Sequence, residues 1–207
     1  MTKQHRTQDE LDQHELGQHA YLPEPDTICY ERTFAHPPAR VWQAITSEEE
    51  LPQWFVPLPA HLDLRVGGQW SMDEPSPSDN PTFQGTIIDF QPGGRIEMTW
   101  REGPSSMWFE VEGADDAGTT HLLFGHRLDR DDAVDGRGGE AIGYGWDEQP
   151  CGPGTFQPGL AAAWHEHLER LRCYLDGAPV PAPGNVPREV VDRYRELIVR
   201  RGARVSN

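Results

Sequence analysis

Hydrophobic and polar positions change their period twice along this chain, and the changes mark out its elements. Residues 26–34, Asp-Thr-Ile-Cys-Tyr-Glu-Arg-Thr-Phe, form a β-branched and aromatic run ended by His36-Pro37-Pro38, which predicts a first strand. Proline is tolerated in the first turn of a helix, so the pair opens a short helix carrying Val41, Trp42 and Ile45. Ser47 followed by Glu48, Glu49 and Glu50 reads as an N-cap with an acidic first turn, predicting a second short helix that ends near Trp54-Phe55. The period then becomes two. Residues 61–66 alternate, and Gly67-Gly68 supplies a two-residue turn into 69–72, a hairpin signal. Residues 82–90, 95–101, 107–111 and 119–128 follow as strands, with Pro92-Gly93-Gly94 and Gly103-Pro104 among the turns. Short strands punctuated in this way indicate an antiparallel meander rather than βαβ units.

Residues 129–155 are a Gly/Asp-rich stretch without a period, longer than most loops of compact domains and expected to act as a lid. The clearest helix comes next, at 158–176, with Gly177 at the C-cap position. At 100° per residue Leu160, Trp164, Leu168, Leu171 and Leu175 fall within a stripe of about 80°, and Ala163, His167 and Tyr174 extend one flank. Glu166, Glu169, Arg170 and Arg172 lie opposite. Such a helix needs a broad apolar surface, and the meander is the one the chain offers. The pattern thus predicts an α+β fold, a curved antiparallel sheet wrapped around a long C-terminal helix. Residues 179–187 read as a Pro-rich linker, and 188–201 as a second amphipathic helix with Val190, Val191, Tyr194, Leu197 and Ile198 on one side.

A length of 207 residues fits one such domain with extensions. Residues 1–25 are Gln/His/Asp/Glu-rich and read as a disordered or frayed extension, residues 26–177 as the domain, and 178–207 as linker plus helix. Apolar runs are far short of the ~20 residues that cross a bilayer, so no membrane insertion is expected. The polar N-terminus lacks the apolar core of a secretory signal, and Cys29, Cys151 and Cys173 are an odd count at unrelated spacings. Both features point to free thiols and a cytoplasmic location. A net charge of −16 argues against nucleic acid as a partner. The charge is uneven: residues 178–207 carry +3, leaving −19 on the rest. A basic, half-apolar tail beside an acidic body is expected to pack on the domain's own surface or on a second copy, a homodimer through the C-terminal helix being favoured by the length of the linker.

The order strand, two short helices, six strands, long helix resembles the START-like superfamily (helix-grip fold), in particular bacterial homologues of the activator of heat-shock-protein ATPase. The residues that carry the resemblance are Glu31-Arg-Thr-Phe34, Pro37-Pro-Ala-Arg-Val-Trp42, Ala44-Ile45-Thr46, Leu51 with Trp54-Phe55, Gly67-Gly68, Gly85-Thr-Ile-Ile-Asp-Phe90, Ile96-Glu-Met-Thr-Trp100, and 164–177. Ala163 stands where that family often has Gly before the helix Trp. The resemblance implies a cavity between sheet and long helix, suited to a small apolar molecule. From the helix, Leu160, Trp164, His167 and Leu171 are expected to line it. Met98, Trp100, Phe109, Phe124 and His126 are expected from the sheet, and Trp54 from the second short helix.

His126 and His167 are the polar candidates inside such a cavity, since His126 shares a strand face with Thr120, Leu122, Phe124 and Leu128. There they could orient a ligand or move a proton, and a histidine satisfied within a core is the commoner outcome for such a residue. Metal is not expected: His165 and His167 face different ways on a helix, and His121 and His126 lie on opposite faces of a strand. The spacing of Asp129, Asp131 and Glu140 matches part of a calcium loop, but Val134 occupies its obligatory glycine. No nucleophile elbow or dinucleotide fingerprint is present, and no cofactor is expected. Three readings follow: a module that binds a small apolar ligand, a cyclase- or hydrolase-type enzyme using cavity histidines, and a chaperone-cofactor-like interaction module.

Overall fold

The computed structural model describes residues 20–72, 83–100, 103–114, 118–129, 156–184 and 186–205, with side chains as far as Arg200. The lid-like stretch falls outside the described residues from 130 to 155, as do residues 1–19 and Cys151.

Eight antiparallel strands form one curved, unclosed sheet. They are β1 (Ala20–Glu24), β2 (Thr27–Phe34), β3 (Ala60–Leu62), β4 (Gln69–Met72), β5 (Phe83–Gln91), β6 (Arg95–Thr99), β7 (Ser106–Gly113) and β8 (Thr120–Arg127). Their spatial order is β1-β2-β8-β7-β6-β5-β4-β3, so β2 pairs with the last strand across the whole intervening chain. Between β2 and β3 lie α1 (Pro38–Thr46) and α2 (Leu51–Trp54), and after the sheet come α3 (Pro158–Leu175) and α4 (Arg188–Val205). This is the helix-grip fold, with α3 in the hollow of the sheet.

Alternation decides what faces α3. Ile28, Tyr30, Arg32 and Phe34 of β2 are buried, whereas Glu31 and Thr33 between them are exposed. In β8 the buried set is Thr120, Leu122, Phe124 and His126, and register pairs Tyr30 with Phe124 and Phe109 with Phe124. Gly85 of β5 is fixed by packing: a Cβ there would sit 2.1 Å from the Thr99 carbonyl oxygen and 2.5 Å from Trp70 Nε1. Its absence lets the Trp70 indole cross β5 and donate to that carbonyl at 3.0 Å.

Three sequence expectations need correction. The extension is not wholly irregular, because Ala20–Glu24 pair with β2 as an edge strand, with Ala20 and Leu22 buried. Two apolar residues at alternate positions suffice when a neighbouring strand supplies the hydrogen bonds. Secondly, β3 stops at Leu62, and residues 63–68 form a loop rather than a two-residue turn. Its backbone turns on itself through Arg65 N to Asp63 O and Gly68 N to Arg65 O, then pairs with Ile87 of β5 through Gly67 and Gly68. Lastly, the Glu50 amide donates to Ser47 Oγ at 3.3 Å, but the cap opens a turn and α2 itself is a single turn beginning at Leu51.

The tail helix packs on its own domain. Val191, Tyr194 and Ile198 are buried, and α4 lies against α3 and β1. The Tyr194 hydroxyl is 3.1 Å from His165 Nδ1 on α3, and its ring is 6.1 Å from that of Tyr30. Within one chain the buried side of α4 thus packs on α3 and β1. The linker before it accounts for Arg170, which helical phase places on the polar side of α3. Its guanidinium is 4% exposed, donating to the Phe55 carbonyl and, at 2.9 Å, to the Pro181 carbonyl of the linker.

Truncating a fully buried aromatic typically costs about 3–5 kcal/mol. Tyr194→Ala should fall in that range by urea denaturation, and deleting residues 180–207 should cost at least as much. A loss under ~1 kcal/mol for either change would mean that α4 does not hold the domain together.

Candidate functional site

Between the sheet and α3 the side chains meet around Trp164, which is 2% exposed in the middle of the helix. Its indole stacks on Phe55 with ring centroids 5.4 Å apart and planes within 6°. Phe124 lies 4.4 Å away, and Trp100, His126 and His167 each lie 5.7 Å away. The indole Nε1–H donates to His126 Nδ1 at 2.8 Å. Helix α2 is fastened beneath this group by Trp54, whose Nε1–H donates to the Ala44 carbonyl at 2.8 Å.

One apolar crevice opens here, bounded by α1, α2 and α3 on one side and by β3, β4, β6 and β7 on the other. Of the residues expected from the sequence, Trp54, Met98, Phe109 and Trp164 line it. Ile45, Leu51, Phe55, Leu62, Trp70 and Met107 complete the wall. Two of these had a legible signal: Trp70 has the inward phase of its strand, and Met107 is the register partner of Met98. The remaining expected residues lie behind the crevice. Trp100, Phe124, His126, Leu160, His167 and Leu171 are buried in the surrounding core and do not border it. Free volume within the crevice is about 20 Å³, enough for a single water. The cavity of several hundred Å³ that an open ligand pocket requires is thus filled here by Trp, Phe and Met side chains.

Burial sets the chemistry of the histidines. Removal from water lowers the pKa of His126 to about 3, and removal from water reinforced by the Arg170 charge does the same to His167. Both are neutral at pH 7. Because an indole N–H only donates, His126 Nδ1 is the acceptor, and the ring's proton is on Nε2. That Nε2–H has no partner among the described residues, nor has the Nε1–H of Trp100, whose ring centroid is 5.2 Å from His126. The core therefore holds two unpaired donors on neighbouring rings. His167 instead packs edge-on against Phe55 at 4.6 Å.

Burial pushes the Cys29 thiol up to about 11, so it is protonated at neutral pH and a poor nucleophile. Among the described residues no three His, Cys, Asp or Glu side chains are grouped to hold a metal ion, and no helix is long and apolar enough to cross a membrane.

Two outcomes are expected from this geometry. Trp164→Ala should cost about 3–5 kcal/mol, the range for a filled aromatic site. Acid should weaken the fold: a histidine with a folded pKa near 3 and an unfolded value near 6.5 contributes stability that is complete above the unfolded value. That stability is lost as pH falls from 6.5 toward 3, because the unfolded chain takes up protons first. From pH 7 to 5 the loss is about 2 kcal/mol for each of His126 and His167. Urea denaturation at both pH values checks it, with a smaller acid loss expected in His167→Gln.

The family model of the activator of Hsp90 ATPase homolog 1-like protein matches residues 35–176. Among solved structures, a conserved protein of unknown function from Enterococcus faecalis superimposes with a TM-score of 0.61 at 21% identity, over 95% of this chain and 99% of that one. CalU16 from Micromonospora echinospora gives a TM-score of 0.57 at 18% identity, over 83% of this chain and 88% of its own. A protein from Bordetella parapertussis gives 0.55 at 20% identity, with 86% and 90% covered. None of the curated proteins matches this chain. At such identities the solved structures share a fold with it and nothing finer. The family model spans more than half of the sequence, from the end of β2 through α3, and on that ground this chain belongs to the activator of Hsp90 ATPase homolog 1-like family.

Proposed function

We propose that the protein binds a small apolar molecule in the seam between the sheet and α3, the crevice being the collapsed, unliganded form of that site. The observation that carries this reading is the makeup of the wall. Ten apolar side chains converge from four sheet strands and three helices on one point. Two of them, Met98 and Met107, are flexible thioethers that repack easily. The cover over the crevice is α2, a single turn held at its C-terminal end by Trp54 Nε1–H to Ala44 and by Arg170 to Phe55. A one-turn helix has little stability of its own, so a ligand displaces it at the cost of the Phe55 stack on Trp164 and these two hydrogen bonds.

An acid–base enzyme is less well supported. Neutral histidines with a pKa near 3 are weak bases at neutral pH, and burial is the first cause of both low values. The filled seam favours a different second reading, a protein-interaction module of the chaperone-cofactor type to which the family name refers.

Thermal denaturation with a panel of lipids and aromatic metabolites separates the two. The binding reading expects at least one compound to raise the Tm saturably, since a ligand of the native state stabilises by mass action. No shift across the panel, together with stimulation of a purified Hsp90-type ATPase by this chain, would instead establish the second reading.

A further inference from the structure

Resting on the ligand-binding reading, we infer that the ligand carries an uncharged carbonyl-type oxygen, which accepts hydrogen bonds from His126 Nε2–H and Trp100 Nε1–H. Both side chains are buried, at 0% and 2% exposure, and both nitrogens lack a partner among the described residues. An unpaired donor in a core costs about 1–3 kcal/mol, so native interiors rarely keep one, and two side by side are rarer still. The tautomer is fixed by a third group. Trp164 Nε1–H occupies His126 Nδ1, which forces the imidazole proton onto Nε2 and makes the pair donors only. What complements two donors is one oxygen with two lone pairs.

The surroundings select among oxygens. The rings around the pair are Trp70, Phe83, Phe156 and Trp164, and the one polar contact among them is the Trp164 Nε1–H already spent on His126 Nδ1. His126 feels burial and no neighbouring charge. An anionic oxygen placed there would be desolvated without a counter-ion, at a cost far above that of a neutral acceptor. The body of the ligand has a place as well. Trp70 and Trp164 line the crevice and also touch Trp100, with ring centroids 6.0 and 5.7 Å away, so the two tryptophans separate the apolar crevice from the donors. A flat apolar skeleton entering the crevice and turning its oxygen between them would meet both requirements.

Matched probes test this: 9-fluorenone against fluorene, and xanthone against xanthene, differing in each pair by the carbonyl oxygen. Dissociation constants from calorimetry on the full chain should favour each ketone at least tenfold. The preference should vanish in Trp100→Phe and in His126→Phe; because His126→Phe also removes the acceptor of Trp164, ketone and hydrocarbon are compared within each variant and not against the native chain. If either variant fails to fold, ¹⁵N spectra of the native protein decide. The Trp100 Nε1–H and His126 Nε2–H resonances should move on adding the ketone and stay in place with the hydrocarbon. Equal affinities within each pair, or ketone binding that moves neither resonance, overturns the inference and leaves the apolar site standing. Absence of binding by all four compounds removes the inference together with the reading on which it rests.

Discussion

Everything in this fold depends on α3 being held in the hollow of the sheet, and Trp164 is where it is held. The indole touches α2's end at Phe55, β8 at Phe124 and His126, and the end of β6 at Trp100, so a single side chain joins three parts of the chain that are distant in sequence. Area burial by a leucine would give adhesion without orientation. The Trp164-to-His126 hydrogen bond, made in a core where a lost partner is costly, fixes the rotation and the height of the helix. The Tyr30 hydroxyl does the same one helical turn earlier, donating to the Ala161 carbonyl at 2.6 Å.

The outer side of α3 follows from the same constraint. A helix seated in the hollow still exposes its back, and α4 with the linker covers that back. Arg170 bridges inward and outward at once, to Phe55 and to Pro181. Tyr194 reaches His165 and Tyr30 around the helix, beside the buried Arg32, whose guanidinium lies 5.5 Å over the Tyr30 ring. Tail, long helix and first sheet strands are consequently one packed body, and the family match ending at residue 176 leaves out a structural layer that this chain possesses.

The legible part of the fold was the part set by periodicity. The inward stripe of α3, the meander and the short helices all followed from spacing, because burial on one face leaves that imprint in sequence. What escaped was set by partners instead. Ala20–Glu24 are a strand because β2 is beside them, and Arg170 is buried between Phe55 and the linker at Pro181; neither residue set carries a local signal for it. For the site, Trp54, Met98, Phe109 and Trp164 were expected from the family resemblance together with their inward phase, and these four border the crevice. The split between crevice and packed surroundings was not legible, since every inward residue has the same phase. His126 and His167 illustrate the limit: both are inward, but only the three-dimensional contact with Trp164 distinguishes the donor from the ring packed on Phe55.

A filled seam is what a binding site of this composition should have when empty. Holding open an apolar void of about 300 Å³, the small end of ligand pockets, at ~24 cal/mol per Å³ would cost about 7 kcal/mol. That matches the entire stability of many domains. Such a wall stays dry, because it offers water too few polar partners, so the cheaper state is collapse of Met98, Met107 and the aromatic rings into the space. Collapse can remove a void, but it cannot create an acceptor. Trp100 and His126 are left with donors that no rearrangement of Trp, Phe and Met side chains can satisfy. On the ligand-binding proposal, those unpaired groups would be a more durable trace of a ligand than the volume it would occupy.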